Sequence, residues 1–262
     1  MINLIRSIYT NRYYWKKYYS LKSLVTRDKI CGFRNLHAGK TIFCIGTGPS
    51  LKSEENLMLL NDQIVIFTNA SFKLTEEIKP FKSYWFVQDF HRLEELKHVN
   101  RKQFDASFKT FHNLQYTGTE HISKNDILLL PEMSFRQPDG EFYPKPLESQ
   151  DHFQVNLEEQ IALAGSSVIF SSIQLAAYMG AKKIVLLGVD MSYGTNVQES
   201  YFDGEEVKER FSWKLDYEQY SKKAFVRYNN ILKARAITLI NSTKNTREDV
   251  TLKLSIPEAL KY

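Results

Sequence analysis

Apolar and polar positions alternate along the chain in blocks whose lengths predict strands separated by helices. The run Thr41–Ile45 is short, apolar and rich in β-formers, and it stops abruptly at Gly46-Thr47-Gly48-Pro49-Ser50, as a buried parallel strand entering a tight turn does. Residues 51–60 then read as a helix, with Pro49 and Ser50 at its start, where proline and a hydroxyl are favoured. A second apolar strand over 63–68 ends at Asn69, and after a lysine-bearing helical stretch a third over 83–87 ends at Gln88-Asp89. Residues 92–125 mix helical and short-strand signals, and 127–130 is apolar and stops at Pro131. The stretch 131–156 holds Pro131, Pro138, Gly140, Pro144 and Pro146 among many polar residues and reads as a long loop. Order returns at 161–168, followed by a small-residue helix over 170–179 and a buried strand from Ile184 that ends at Asp190. Residues 191–218 lose periodicity and mix aromatics with charges, a pattern shared by lids and ordered surface loops. An amphipathic helix over 220–235 and a strand over 237–240, ending at Asn241-Ser242-Thr243, close the pattern.

Apolar strands alternating with helices predict an α/β fold, here Rossmann-like, with a mostly parallel sheet covered by helices on both faces. Strands that end in polar residues place candidate chemistry at their carboxyl ends, where open α/β sheets bind ligands. The expected organisation is a helical extension over 1–38 and one domain over 39–262, with the lid at about 191–218. At 262 residues such a domain buries a sizeable core without metals or disulfides.

Composition sharpens this in two places. The two cysteines, Cys31 and Cys44, give no disulfide framework, and Cys44 lies within an apolar run, so a reducing, cytoplasmic setting is expected. No run approaches the roughly 20 apolar residues that cross a bilayer. The net charge of +5 is uneven, since residues 1–40 hold nine Lys or Arg against the single acid Asp28. Tyr9, Tyr13, Tyr14, Trp15, Tyr18 and Tyr19 are interleaved with these cations, which suits peripheral contact with an anionic membrane through residues 1–38. The same composition fits a helix packed on the body or on another subunit, so a homo-oligomer is compatible with it. No nucleic-acid-binding module follows, and nucleic acid is not an expected partner.

The turn at 46–50 carries the clearest chemical signal. Two glycines one residue apart after a strand let the backbone turn tightly and approach a ligand, while amides at the start of the next helix attract an anion. Leu51 stands where a dinucleotide fingerprint needs its third glycine, and no Lys-Ser/Thr follows as in a P-loop, so NAD binding and P-loop ATP hydrolysis are both disfavoured. A second small-residue turn, Gly165-Ser166-Ser167, opens the helix at 170–179 and offers hydroxyls and amides to the same crevice.

The ordered landmarks Ile45-Gly46-Thr47-Gly48-Pro49-Ser50-Leu51, Thr68-Asn69, Ala164-Gly165-Ser166-Ser167-Val168 and Leu187-Gly188-Val189-Asp190 resemble those of small bacterial sialyltransferases that use CMP-sialic acid. They also resemble the related motility-associated-factor glycosyltransferases, and the likeness covers about half the chain. It implies a nucleotide site in which Gly46, Gly48 and Ser50, with Thr47 and Pro49 in the same turn, line phosphate and ribose. Asn69 and Gln88 then face the donor pocket, Gly165, Ser166 and Ser167 meet cytosine or phosphate, and Tyr193 and Tyr201 donate hydroxyls to the leaving phosphate. The resembled enzymes carry a histidine base in the lid, whereas His37, His91, His98, His112, His121 and His152 all precede residue 153. Candidates for the base are therefore Asp89, His91, Asp190 and Asp216, with His91 or Asp89 favoured and Asp190 orienting the pocket.

The resemblance implies transfer of a nonulosonic, sialic-acid-like sugar from a CMP-sugar donor to a hydroxyl of a surface glycan or glycolipid acceptor. Inverting chemistry with no cofactor and no metal is expected, since no Asp-x-Asp pair stands in the donor half. The same landmarks occur in pterin diphosphokinase-like proteins, where the turn holds a phosphorylated substrate and Mg²⁺ with ATP. A nucleotide-sugar-binding subunit without a base is the non-enzymatic alternative.

Overall fold

Among the described residues, β1 (Thr41–Ile45), β2 (Ile64–Thr68), β3 (Lys82–Val87), β4 (Ala106–Lys109), β5 (Asp126–Leu128), β8 (Lys183–Leu187), β9 (Thr238–Asn241) and β10 (Leu252–Lys253) form one parallel sheet of eight strands. Their order is β10-β9-β8-β1-β2-β3-β4-β5. This is a computed structural model, and it describes residues 16, 27–88, 96, 98–110, 126–131, 133–134, 145–146, 153–162, 167–191 and 217–262. A two-residue antiparallel ladder, β6 (Met133–Ser134) with β7 (Lys145–Pro146), lies within the stretch read as a loop. The helices are α1 (Arg27–Cys31), α2 (Val168–Tyr178), α3 (Lys222–Ala234), entered through a π turn at Tyr217–Ser221, and α4 (Ile256–Lys261).

The strands are apolar at nearly every position because both faces of the sheet are covered. Alternate residues point to opposite faces. Ile42, Cys44, Ile64, Ile66, Tyr84, Phe86, Ile184 and Leu186 pack with Ile169, Phe170 and Ile173 of α2 and Phe225, Tyr228 and Leu232 of α3. Phe43, Ile45, Val65, Phe67, Trp85, Val185 and Leu187 pack instead against Leu51, Leu57, Leu60 and Leu74, and against Ile256 and Ala259 of α4. Each such fully buried large side chain contributes about 1.5–3 kcal/mol relative to exposure. The α/β architecture expected from the sequence is therefore observed.

The second face departs from expectation in kind of helix. Residues 51–60, read as one α-helix, form two 3₁₀ segments, Pro49–Ser53 and Leu57–Leu60, and Asn69–Glu76 is a third. The reason lies in the spacing. Leu57 and Leu60 are three residues apart, a spacing that the three-residue turn of a 3₁₀ helix stacks on one side, while Leu51 is buried from the separate segment before them. The stretch left open at 92–125 contains β4, and the chain continues beyond β9 into β10 and α4. Helix α4 has a legible start, because Ser255 and Glu258 form a reciprocal capping box with Pro257 between them.

Residues 27–38, assigned to the extension, sit against the base of the sheet. Asn35 N–H donates to Tyr178 O and His37 N–H to Met179 O, and His37 Nε2 lies 2.7 Å from the Tyr84 hydroxyl. Arg34 pairs with Glu158. Apart from Lys16, residues 1–26 lie outside the described residues, and with them the aromatic cluster expected to meet membrane. Among the described residues no helix is long and apolar enough to cross a membrane.

Candidate functional site at the β1–β8 seam

The chain runs from β1 outward through β2 to β5, then returns to place β8 on the other side of β1. Strand order reverses there, and such a switch point is where open α/β sheets receive ligands, beyond the carboxyl ends of the strands. The turn at 46–50 follows β1, and Gly188-Val189-Asp190 follows β8, so the two loops that the sequence singled out meet at this point.

They meet tightly. Gly46 N–H donates to Leu187 O at 2.8 Å and Gly48 N–H to Gly188 O at 2.9 Å, extending the strand pairing past the ends of β1 and β8. Asp190 closes the turn, since its Oδ1 accepts from Ser50 N–H at 3.1 Å and its Oδ2 from Ser50 Oγ at 2.8 Å. Both glycines are needed for this approach. A Cβ at Gly46 would lie 2.4 Å from Gly188 O, and a Cβ at Gly48 would lie 1.7 Å from Asp190 Oδ2. Gly188 itself takes φ +65°, in the left-handed region that glycine occupies without cost.

This corrects the expectation that the amides of the turn are free to grip a phosphate. Those of Gly46, Gly48 and Ser50 are bonded within the protein, Pro49 has no N–H, and the carboxylate of Asp190 takes the position an anion would occupy at the 3₁₀ start. Only Thr47, half-buried between the glycines, has no hydrogen-bond partner among the described residues. The turn is not sealed, because Thr47, Gly48, Pro49 and Ser50 all remain half-buried. Burial pushes the Asp190 carboxyl up from its ordinary range, and the two bonds from Ser50 oppose that shift.

A third loop completes the seam, and the sequence reading marked only its first residues. Val189 N–H donates to Thr243 Oγ1 at 2.9 Å, Thr246 Oγ1 donates to Val189 O at 2.7 Å, and Arg247 N–H donates to Asp190 O at 2.8 Å. The signal available was the polar run Asn241-Ser242-Thr243 at the end of β9; the reach of Thr246 back to β8 has no sequence signature.

On the β2 side, Thr68 Oγ1 and Ser71 Oγ both donate to Ile45 O, at 2.8 and 3.0 Å. Asn69 takes φ +47°, accepts from Trp85 Nε1 through its carbonyl at 2.8 Å, and keeps a buried Oδ1 with no hydrogen-bond partner. An asparagine in the left-handed region at a strand end, with a side-chain acceptor unspent, is placed to meet a donor from a ligand. Gln88, at the end of β3, is buried and accepts from Ser171 Oγ of α2 at 2.7 Å. Ser167 caps α2, its Oγ accepting from Ile169 N–H at 3.4 Å.

The structure thus brings Gly46, Thr47, Gly48, Pro49, Ser50 and Asp190 together at the seam, with Asn69 on the adjoining strand. Asp89, His91, Gly165, Ser166, Tyr193, Tyr201 and Asp216 lie outside the described residues. Among the described residues no group of three or more His, Cys, Asp or Glu is placed to hold a metal ion.

The family described as 6-hydroxymethylpterin diphosphokinase MptE-like matches residues 16–196, a span that contains β1 through β8 and the two loops that follow β1 and β8, but not the third loop at 243–247. No curated protein sequence matches the chain. Among solved structures, the sialyltransferase CstII from Campylobacter jejuni in complex with the substrate analogue cytidine-5'-monophosphate is 16% identical with a TM-score of 0.46, covering 83% of this chain and 86% of its own. The same enzyme with CMP-3FNeuAc gives 16% identity and a TM-score of 0.46 over 82% and 86%. With trisaccharide acceptor and CMP, the values are 14% and 0.42 over 82% and 86%.

Proposed function

The chain belongs to the MptE-like family, and we propose that it is a glycosyltransferase moving a nonulosonic sugar from a CMP-sugar donor to a hydroxyl of a surface glycan. The observation that carries this reading is the pair of unspent polar groups at the ends of adjacent strands, the Thr47 amide after β1 and Asn69 Oδ1 after β2, beside the strand-order reversal. One donor and one acceptor on a rigid crest suit a phosphate oxygen and a sugar or base donor group. The acceptor reaches the anomeric carbon as the carbon–oxygen bond to the donor phosphate breaks. That electron pair leaves with CMP, and the acceptor proton passes to Asp89 or His91, which follow β3 in sequence. The proposed transfer is inverting and independent of metal.

Titration calorimetry of the full chain with CMP, UDP, GDP and NAD tests the donor. Binding restricted to CMP is the expected result, and preference for any other ligand overturns it. Hydrolysis or transfer of a CMP-sugar, followed by release of CMP, tests the reaction.

Family membership favours a second reading, diphosphate transfer from ATP to a hydroxymethylpterin. Formation of a pterin diphosphate from ATP by the purified chain would establish it in place of the first.

A further inference from the structure

The β1–β8 turn already contains an anion, and its placement bears on which ligands the turn accepts. The Asp190 carboxylate spans Ser50 N and Ser50 Oγ, and it lies so close to Gly48 that a Cβ there would touch Oδ2 at 1.7 Å. Among the described residues it forms no ion pair. Lys244 is directed to Ser53 O and Glu54, and the Arg247 guanidinium lies 5.7 Å from the centre of the Tyr217 ring. Among the described residues the negative charge of Asp190 therefore has no cationic partner beside the one amide of the turn, Thr47 N–H, that has no bond within the protein.

We propose that Asp190 sets the charge limit of this site, so that it accepts a nucleotide carrying one esterified phosphate and discriminates against di- and triphosphates. The inference rests on the nucleotide-binding reading given above and specifies its substrate class. A phosphate on Thr47 N–H shares the turn with Ser50, whose amide and hydroxyl the carboxylate accepts, and like charges a few ångström apart in a half-buried setting repel by about a factor of ten or more in affinity per charge. A phosphodiester bears one negative charge and meets this repulsion once; a pyrophosphate or triphosphate meets it for each further charge nearby. Asp190 acts here through field and position rather than by touching the reacting atoms.

Asparagine at this position separates charge from structure. In Asp190→Asn, Oδ1 still accepts from Ser50 N–H, and Nδ2 donates to a reoriented Ser50 hydroxyl, so both bonds persist while the charge is lost. The experiment titrates the full chain and D190N with CMP, CDP, CTP, AMP, ADP and ATP in the presence of EDTA, at low and high salt. The wild-type protein is expected to bind the monophosphate about tenfold more tightly than the triphosphate of the same base, with the gap narrowing at high salt. In D190N the order flattens or reverses. Identical ranking in both proteins, or a wild-type preference for triphosphates, overturns the proposal. If only the adenosine series binds and shows the charge order, the CMP assignment falls and the role of Asp190 stands; if CMP binds without any charge order, the reverse holds. Should D190N fail to fold, Ser50→Ala keeps the carboxylate and must keep the charge order, and the salt dependence of the wild-type ranking decides the matter alone.

Discussion

The β1–β8 seam and the β4–β5 edge are built from the same parallel pairing, yet they handle polar groups in opposite ways. At the seam almost every amide, hydroxyl and carboxylate finds a partner, from Gly46 and Gly48 through Ser50 and Asp190 to Thr243 and Thr246. At the edge, Ser107 Oγ, Lys109 Nζ and Thr110 Oγ1 are buried without a hydrogen bond. Lys109 is fully enclosed, its Nζ 3.7 Å from the centre of the Trp85 ring and 4.0 Å from Asp126 Oδ1, while Arg101 lies 3.3 Å from Asp126 Oδ2. Buried polar atoms are normally satisfied, since each left unmade costs about 1–3 kcal/mol. The contrast teaches that polar satisfaction is concentrated where the loops converge at the switch point, and that the far edge is held in a state the solution pH can move.

The largest effect expected is at that edge. Burial brings Lys109 down to about 7, with Asp126 opposing the shift and Arg101 adding to it. A folded-state pKa lowered from the ordinary lysine value means that the unfolded chain binds an extra proton between about pH 7 and 10.5. Stability therefore rises with pH through that window and is lowest below it, by up to on the order of 4 kcal/mol. Chemical denaturation from pH 6.5 to 10 is expected to show the rise, and Lys109→Met to abolish it; a Met variant that keeps the slope assigns it elsewhere.

Breaking the seam comes next. Gly46→Ala sets a methyl against Gly188 O, which is backbone and moves only with β8, so a loss of about 3 kcal/mol and a lower melting temperature are expected. Trp85→Phe tests the link between the regions, because the indole that underlies Lys109 also donates to Asn69 O. Loss of that bond is expected to cost about 1–2 kcal/mol and to weaken CMP binding several-fold, measured by calorimetry on the same preparation. Ser50→Ala is the mildest, about 1 kcal/mol in thermal stability, since the Ser50 amide keeps its bond to Asp190.

Strands β1, β2, β3, β5, β8 and β9 were legible because each is an apolar run that stops at a polar residue, as a doubly covered sheet requires, whereas β4 lies in the mixed stretch 92–125 and the two exposed residues of β10 carry no apolar run. The 3₁₀ segments were not legible, since reading 51–60 as a helix relies on its apolar content and overlooks the three-residue spacing of Leu57 and Leu60. The site was half legible. Gly46 and Gly48 do mark a close approach, but what approaches is Gly188 and Asp190, from a strand about 140 residues away, and sequence offers no view of that pairing. Lys109 escaped because it lies in 92–125, where helical and short-strand signals mix and no strand stands out; it ends β4, and its burial follows from β5 and Trp85 closing over it.

The strand order also governs when the molecule can complete itself. As the chain leaves the ribosome, β1 through β5 can zip up in the order they emerge, but the other side of β1 must wait for β8, whose first residue, Lys183, follows Ile45 by more than a hundred positions. Until then β1 presents a naked hydrogen-bonding edge flanked by aromatic side chains, a surface prone to pairing with a neighbouring nascent chain. Synthesis of this protein is therefore expected to depend on chaperone capacity up to the moment β8 arrives, and truncations ending between β5 and β8 to accumulate as aggregates, whatever their intrinsic strand propensity.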